Sequence, residues 1–516
     1  MLRNANLSEL YPAYNLSVPI DHFHNDSKYE PHSAGYFNLR YFFDASHYVK
    51  GGPIIVLQGG EGNAFTQLGF LKNGIVSQLA KATGGISVIL EHRYYGTSFP
   101  VPDLTTHNLR FLTTDQALAD QVYFAQNIVF PGREDLNLTA PSTPYIAYGC
   151  SYAGGLVAFL RVLYPGLYWG SISSSGVTEA IYDYWQYYEP IREYGPPECI
   201  STQQKLINVI DTIFQKNDSE MIGELKTAFG VQGLVSDDDA AGVMSQGFQG
   251  WQSLDWNTKR KYTQFGEYCD NITSDDVQYS TTESLASTVQ SFVEASRWSN
   301  ESSTLTNRML NMIGFTNETF IAGSCGEESI SQCWSYTNAS AEMYTVKTIR
   351  NYSHIPWAYQ CCTQWGYMLT GSGVPADKLP LISRLLTLEY RSLFCKYLFN
   401  ITTPPDTEAI NKYGGFNISY PRLAIIGGEQ DPWRPATPLA ELDVPDRLNT
   451  TSTADQPVIL VEDAVHCWDA TGSFPNKTTW TLPPQPVRDA QAEIVQFVQE
   501  WMAEWKRHCI NNPEGC

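Results

Sequence analysis

A serine hydroxyl becomes a nucleophile only when a base stands within hydrogen-bond reach and N–H donors wait for the oxyanion that forms. Gly149-Cys150-Ser151-Tyr152-Ala153-Gly154 has the makings of such a site: an apolar run ends at Tyr148, small residues flank the serine, and Gly155 to Tyr164 reads as a helix. A strand that turns sharply into a helix at a serine lifts its hydroxyl clear of the sheet. The strict G-x-S-x-G spacing is missed by one methyl group, at Ala153, and alanine remains small enough for a tight turn. The short pattern alone recurs by chance in chains of this size, so its weight comes from the strand before it and the helix after it.

On an α/β-hydrolase sheet the acid and then the base follow the serine in chain order, which turns the rest of the search into elimination. Downstream histidines are His354, His466 and His508. His508 lies in the C-terminal tail and His354 follows a helical stretch, whereas His466 comes just after a strand-like run, Pro457 to Val461, and is the expected base. Arg422 to Ile426 leads into Gly427-Gly428-Glu429-Gln430-Asp431-Pro432-Trp433, which makes Asp431 the expected acid and Glu429 the runner-up. The oxyanion would be met by the backbone N–H of Tyr152 and by one from the Gly59-Gly60-Glu61 loop, that is Gly60 or Glu61. An ordinary tight turn is the plainer reading of that loop.

These residues need a sheet to hold them. In the first 180 residues, runs of strand length alternate with helical segments, the pattern of an α/β layer fold with a mostly parallel sheet. Pro53 to Leu57 runs into Gln58-Gly59-Gly60-Glu61-Gly62, Ile86 to Leu90 into Glu91-His92-Arg93-Tyr94-Tyr95-Gly96, and Tyr145 to Tyr148 into the serine turn. Loops leaving the carboxyl ends of such strands gather at one site. From about Ile181 to Glu389 the texture changes to amphipathic stretches such as Gln203 to Phe214 and Ser284 to Trp298. The expected organisation is an α/β-hydrolase core over 1–180 and 390–516, with a helical cap insertion over 181–389. An amphipathic helix from about Pro486 to Trp505 closes the chain.

With 516 residues, 43% of them hydrophobic, a large core can form. The formal net charge of −21 is spread without long runs, which argues against nucleic acid as a partner, because phosphates call for clustered Lys and Arg. Nothing approaches a transmembrane span, so no membrane partner is expected. Fourteen Asn-x-Ser/Thr sequons are present, far above chance: Asn6, Asn15, Asn25, Asn137, Asn217, Asn271, Asn300, Asn317, Asn338, Asn351, Asn400, Asn417, Asn449 and Asn476. Such sites matter only in the secretory pathway, so a secreted protein is expected, with a lysosome- or vacuole-like compartment as the alternative. Met1-Leu2-Arg3-Asn4 lacks the apolar stretch of a signal peptide, which is taken to have been removed or replaced. Eleven cysteines suit an oxidising compartment, and the odd count leaves one thiol over. Cys150, in the serine turn, is the expected free thiol, while the adjacent Cys361 and Cys362 each pair elsewhere. No C-x-x-C pair suggests zinc, and neither a metal nor a cofactor is expected.

Taken together, the motifs resemble those of the prolyl carboxypeptidase, dipeptidyl peptidase II and fungal prolyl endopeptidase family. The resemblance rests on Asp21-His22-Phe23, the Gly59 loop, Glu91-His92-Arg93-Tyr94-Tyr95-Gly96 and Leu112-Thr113-Thr114-Asp115-Gln116-Ala117-Leu118-Ala119-Asp120. It continues through the serine turn, Ala180-Ile181-Tyr182-Asp183-Tyr184-Trp185, Tyr359-Gln360 with Cys362-Thr363, and Asp431-Pro432-Trp433. It implies Ser151, Asp431 and His466 as the triad, inserted helices capping the site, and a preference for proline on the acyl side of the cleaved bond, with Trp433 lining the proline pocket. Two departures stand out. Ala153 replaces the usual glycine, and Ala464-Val465-His466-Cys467-Trp468-Asp469 lacks the second histidine of animal relatives, which bears on how Trp468 and its neighbours meet the leaving side.

The expected activity is therefore a secreted serine peptidase acting on proline-containing peptides through an acyl-enzyme. Carboxypeptidase, dipeptidyl or tripeptidyl, and endopeptidase modes stay open, as does the oligomeric state, with a homodimer allowed. Glu61 is a candidate partner for a substrate amine. A carboxylesterase or lipase on the same fold is the alternative, since a triad alone does not separate ester from amide chemistry. A non-catalytic binding protein of this fold is the more distant one.

Overall fold

The computed structural model describes residues 7–256, 263–345, 354–441, 443–448, 450–472, 479 and 481–512. The chain forms two compact units. The first comprises residues 1–180, 347–365 and 405–516, and the second residues 181–346 and 366–404. Residues 354–365, which the sequence reading places in the insertion, thus pack with the first unit, and the second unit runs on to Pro404. Its anchors are Gln360, bonded to Tyr95 and Tyr152, and Gln364, whose Oε1 accepts from the Thr114 N–H at 3.1 Å.

The first unit is built on an eight-stranded sheet. In chain order the strands are β1 (Tyr14–Pro19), β2 (Tyr36–Asp44), β3 (Ile54–Gln58), β4 (Ile86–Leu90), β5 (Tyr145–Cys150) and β6 (Tyr168–Ser174), then β9 (Leu423–Gly428) and β10 (Val458–Val461) after the two strands of the second unit, β7 (Ile181–Asp183) and β8 (Gly366–Met368). Their order in the sheet is β1-β2-β4-β3-β5-β6-β9-β10. The pairs β1·β2 and β2·β4 are antiparallel, and every other pair is parallel. Burial explains which strands were visible in the sequence. All five residues of β3 and of β4 are buried, as in strands covered on both faces, and such strands read as unbroken apolar runs. The outermost strand β1 alternates exposed and covered positions instead. The helix Tyr152–Leu163 that follows β5 is buried on all sides over its first ten residues, including Arg161.

The second unit pairs β7 with β8 in parallel and is otherwise helical, with Pro197–Lys216 and Ser302–Thr316 its longest helices among the described residues. Disulfides Cys199–Cys269 and Cys325–Cys333 lie within it. The amphipathic stretch expected to run to Trp298 is an α-helix only over Ala286–Glu294, preceded by a 3₁₀ turn at Ser280–Leu285.

Candidate active site

β5 ends at Cys150, and the chain reverses at Ser151, which holds φ 62° and ψ −130° before Tyr152 opens the helix. A non-glycine residue at positive φ is strained, and it persists here because its neighbours have no side chains in the way. A Cβ on Gly149 would stand 2.1 Å from the Ala153 carbonyl oxygen, one on Gly154 2.6 Å from the Gly176 Cα, and one on Gly155 2.2 Å from the Val177 carbonyl oxygen. Glycine is therefore demanded at 149, 154 and 155 but not at 153, whose methyl lies 3.9 Å from where a Cβ of Gly60 would be. The departure at Ala153 is thus absorbed by the geometry. The Ser151 N–H is spent on the Ser174 carbonyl at 2.9 Å. As the first helical residue, Tyr152 has an N–H with no intrahelical acceptor.

His466 and Asp431 meet across two loops that leave β10 and β9. The His466 Nδ1 lies 3.0 and 2.9 Å from the two Asp431 carboxylate oxygens, and Asp431 is buried. Asp431 Oδ1 also accepts the Trp433 N–H at 2.9 Å. Because a carboxylate only accepts, Nδ1 carries the proton and Nε2 is left with its lone pair. Nε2 is buried and has no hydrogen-bond partner among the described residues. The runner-up acid does something else: Glu429 Oε2 accepts the Asp463 N–H at 3.1 Å and braces the loop. The close approach of the two loops explains Gly428, where a Cβ would sit 2.0 Å from the Val465 carbonyl oxygen.

Cys150 pairs with Cys467, with the two Cα atoms 6.0 Å apart. This corrects the expected free thiol at Cys150. Among the described residues the free cysteine is the buried Cys361, which the sequence reading expected to be paired; its thiol pKa is pushed up by burial and by Glu61, while Cys362, Cys395 and Cys509 are disulfide-bonded. Spacing hides the pairing because the two sulfurs are 317 residues apart and meet only where the serine and histidine loops converge.

Glu61 faces this centre. Burial raises its pKa, and its own backbone and the nearby His466 oppose that. Gly59 lies 2.7 Å by its N–H from the Leu90 carbonyl, and a Cβ there would be 2.9 Å from the same oxygen, so glycine is required at 59 for the crossing of β4. At His466, burial disfavours the imidazolium, but Asp431, with Glu61 and Asp469 behind it, outweighs burial and raises the pKa.

Beneath Tyr152 runs a hydrogen-bond chain that sequence reasoning did not assemble. His92 Nδ1 lies 2.7 Å from the Arg93 carbonyl and must donate to it, so Nε2 accepts from the Tyr152 hydroxyl at 3.0 Å. That hydroxyl accepts from Gln360 Nε2 at 2.6 Å, and Gln360 Oε1 accepts from the Tyr95 hydroxyl at 2.5 Å. Burial drives the His92 pKa down to about 4, so the ring stays neutral and keeps its acceptor. Trp357 and Trp365 meet the Tyr152 ring edge-on at 5.4 and 5.1 Å. His92 and Gln360 both stood in the quoted motifs, but nothing in either motif points to a partner in the other.

Trp433 and Trp468 are half-buried on the two loops that carry Asp431 and His466. Asp469, not singled out from the sequence, anchors the histidine loop by accepting the Tyr148 hydroxyl at 2.8 Å and the Ser174 hydroxyl at 2.5 Å. Among the described residues, two groups have metal-ligand character: Cys150 with His466 and Cys467, and Asp21 with His24 and His32. The first has both sulfurs in the disulfide. In the second the Asp21 carboxylate is already filled by the Phe23 N–H, the Gln116 amide and His32 Nδ1, at 2.8–2.9 Å.

Of the sequons, Asn6, Asn351, Asn449 and Asn476 lie outside the described residues; Asn15, Asn25, Asn137, Asn217, Asn300, Asn400 and Asn417 are exposed, and Asn271, Asn317 and Asn338 are half-buried. The Asn317 amide nitrogen already donates to the Ala228 carbonyl at 3.0 Å.

The sheet order, with its parallel centre and the strand-to-helix turn at Ser151, defines an α/β-hydrolase fold. The sequence matches the family described as Serine carboxypeptidase S28 over residues 19–480, and the chain belongs to that family of serine peptidases. A protein of Arthroderma benhamiae named probable extracellular serine carboxypeptidase is 46% identical over 502 residues, covering 97% of this chain and 69% of its own. Serine protease vicPb of Bipolaris victoriae is 29% identical over 463 residues, covering 87% and 82%. The proline iminopeptidase of Mycobacterium smegmatis, a solved structure, aligns at 13% identity and a TM-score of 0.36 over 95% of this chain and 99% of its own.

Proposed function

We propose that this serine peptidase is secreted and cleaves peptide bonds on the carboxyl side of proline, with Ser151 as nucleophile, His466 as base and Asp431 as the acid that orients it. The observation that carries the assignment is the His466 ring: Nδ1–H is held by both oxygens of Asp431, and Nε2 is bare and buried, on a loop bonded to the serine turn. In the reaction Ser151 Oγ attacks the scissile carbonyl carbon as its proton passes to His466 Nε2. The oxyanion is met by the Tyr152 N–H and by Gly60 or Glu61, and the proton then goes to the leaving amine. Water, deprotonated by the same nitrogen, releases the acid and restores Ser151. Asp431 stabilises the imidazolium throughout without taking the proton.

Trp433 and Trp468 supply flat, half-buried faces beside the triad, which suit a pyrrolidine ring that has no N–H to satisfy. Secretion is supported by the exposed sequons, by the disulfides and by the relative described as extracellular. Among the described residues, no helix is long and apolar enough to cross a membrane.

The test is mass spectrometry of a proline-containing peptide with free ends, with an acetylated N-terminus and with an amidated C-terminus. Cleavage after proline that disappears in Ser151→Ala is expected, and the blocked end that stops it identifies the exo- or endopeptidase mode. Hydrolysis of simple acyl esters with no form of the peptide cut would replace the reading with an esterase.

A further inference from the structure

Hydrogen bonds fix the His466 ring from one side only. Asp431 sets its rotation through Nδ1, while Nε2, the atom that must meet Ser151, has no partner of its own among the described residues. What sets the distance between the two loops has to be sought in the backbone. There Cys150, immediately before the nucleophile, is covalently joined to Cys467, immediately after the base. Each reacting residue is thus one peptide unit, about 3.8 Å between Cα atoms, from a shared covalent bridge.

We propose that the Cys150–Cys467 disulfide is a positioning element for catalysis, holding His466 Nε2 in reach of Ser151 Oγ; the proposal rests on the triad reading above. Three observations support it beyond proximity. First, the bridge joins two strained turns: Ser151 at φ 62° and Cys467 at φ 58° both occupy the left-handed region that non-glycine residues avoid. Such conformations persist only where the surroundings over-determine them, and a covalent tie between them does so. Second, the histidine loop is tied on both sides of its base. Asp469 holds its far side to Tyr148 and Ser174, the Cys467 N–H reaches Ser175 Oγ at 3.1 Å, and the disulfide ties it covalently to the residue beside the nucleophile. Third, both cysteines are half-buried, unlike the buried Cys199–Cys269 pair, which leaves the bridge open to a dithiol in solution. In that exchange one thiolate of the dithiol attacks a bridge sulfur and forms a mixed disulfide. Its second thiol then closes on the first, releasing Cys150 and Cys467 as thiols with two electrons and two protons taken from the dithiol.

The experiment compares wild type, Cys150→Ala/Cys467→Ala and, as a control, Cys325→Ala/Cys333→Ala, which removes a bridge of the second unit. Steady-state kinetics on a proline peptide are measured beside the rate of Ser151 labelling by a fluorophosphonate, which needs the activated serine but no peptide binding. Loss of the bridge is expected to lower kcat and the labelling rate together by about 10- to 100-fold, as for a displacement of the order of 1 Å, with KM changed less than twofold. The control keeps its kcat. A double variant within twofold of wild type, or one whose loss lies in KM, overturns the proposal.

If the double variant does not fold, folded wild type is treated with dithiothreitol, and parallel samples are alkylated and mapped by mass spectrometry. Activity is then expected to fall in step with thiol appearance at Cys150 and Cys467 and to return on reoxidation; full activity with both thiols free overturns the proposal. Absence of labelling at Ser151 in the oxidised wild type would instead refute the triad reading, so the two failures are distinguishable.

Discussion

Replacing Asp431 by asparagine changes one oxygen to an NH₂ and leaves the side-chain shape intact, so its effect follows from which oxygen is lost. Oδ1 accepts the Trp433 N–H at 2.9 Å and must remain an acceptor, so the amide oxygen takes that position and the NH₂ takes the place of Oδ2, 2.9 Å from His466 Nδ1. An NH₂ can only donate. It competes for Nδ1 with the neutral amide oxygen that remains 3.0 Å away and already takes the Trp433 N–H; where Nδ1 accepts from the NH₂, the ring proton moves to Nε2, and the atom that should take the serine proton already carries one. A wrong tautomer held by an otherwise intact pair costs about 10⁴ in kcat where it has been met in serine proteases. At about 1.4 kcal/mol per tenfold, that is roughly 5.5 kcal/mol of lost transition-state stabilisation. The assay is kcat and KM on the proline peptide beside fluorophosphonate labelling of Ser151, with the loss expected in kcat and in labelling and KM nearly unchanged. Glu429→Gln serves as the contrast, because Glu429 braces Asp463 and does not bond to the ring; its kcat is expected to stay within about threefold of wild type, less than 1 kcal/mol. A loss under tenfold in Asp431→Asn, or a larger loss in Glu429→Gln than in Asp431→Asn, would refute the assignment of the acid.

Three further outcomes are expected. The base must be neutral, and Asp431, Glu61 and Asp469 together outweigh burial and hold the His466 pKa above 6.5, so activity falls as pH drops through that raised value. Glu61→Gln removes one of the charges that favour the imidazolium, so the acid limb of the kcat/KM profile is expected to move to lower pH; an unmoved or raised limb would show that Glu61 does not act on the ring. Asp120→Asn takes the carboxylate from a fully buried Arg93 that it holds at 2.6 and 2.7 Å, which should cost about 3–5 kcal/mol of stability. Thermal unfolding reads this directly, and a midpoint within about 1 °C of wild type would count against Arg93–Asp120 as a pillar of the fold.

What the sequence disclosed and what it hid divide along a physical line. The central parallel strands were legible because burial on both faces makes them continuous apolar runs, and β4 lies at Ile86–Leu90 as expected. β6 was not seen, since Tyr168–Ser174 has Trp169, Gly170 and three serines within a buried strand. Glycine there serves packing: a Cβ on Gly170 would meet the Trp501 ring at 2.5 Å, a neighbour more than 300 residues away. The serine turn, the aspartate and the histidine could each be placed because each closes a strand, which is a local signal. The Cys150–Cys467 bridge and the His92–Tyr152–Gln360–Tyr95 chain could not, because each joins segments far apart in sequence. Local spacing thus names the candidate reacting groups, whereas the groups that hold them in place are chosen by the fold. Cys150 shows the limit most directly: read from its own turn it is a spare thiol, and read from the sheet it is the residue that fastens the serine turn to the histidine loop.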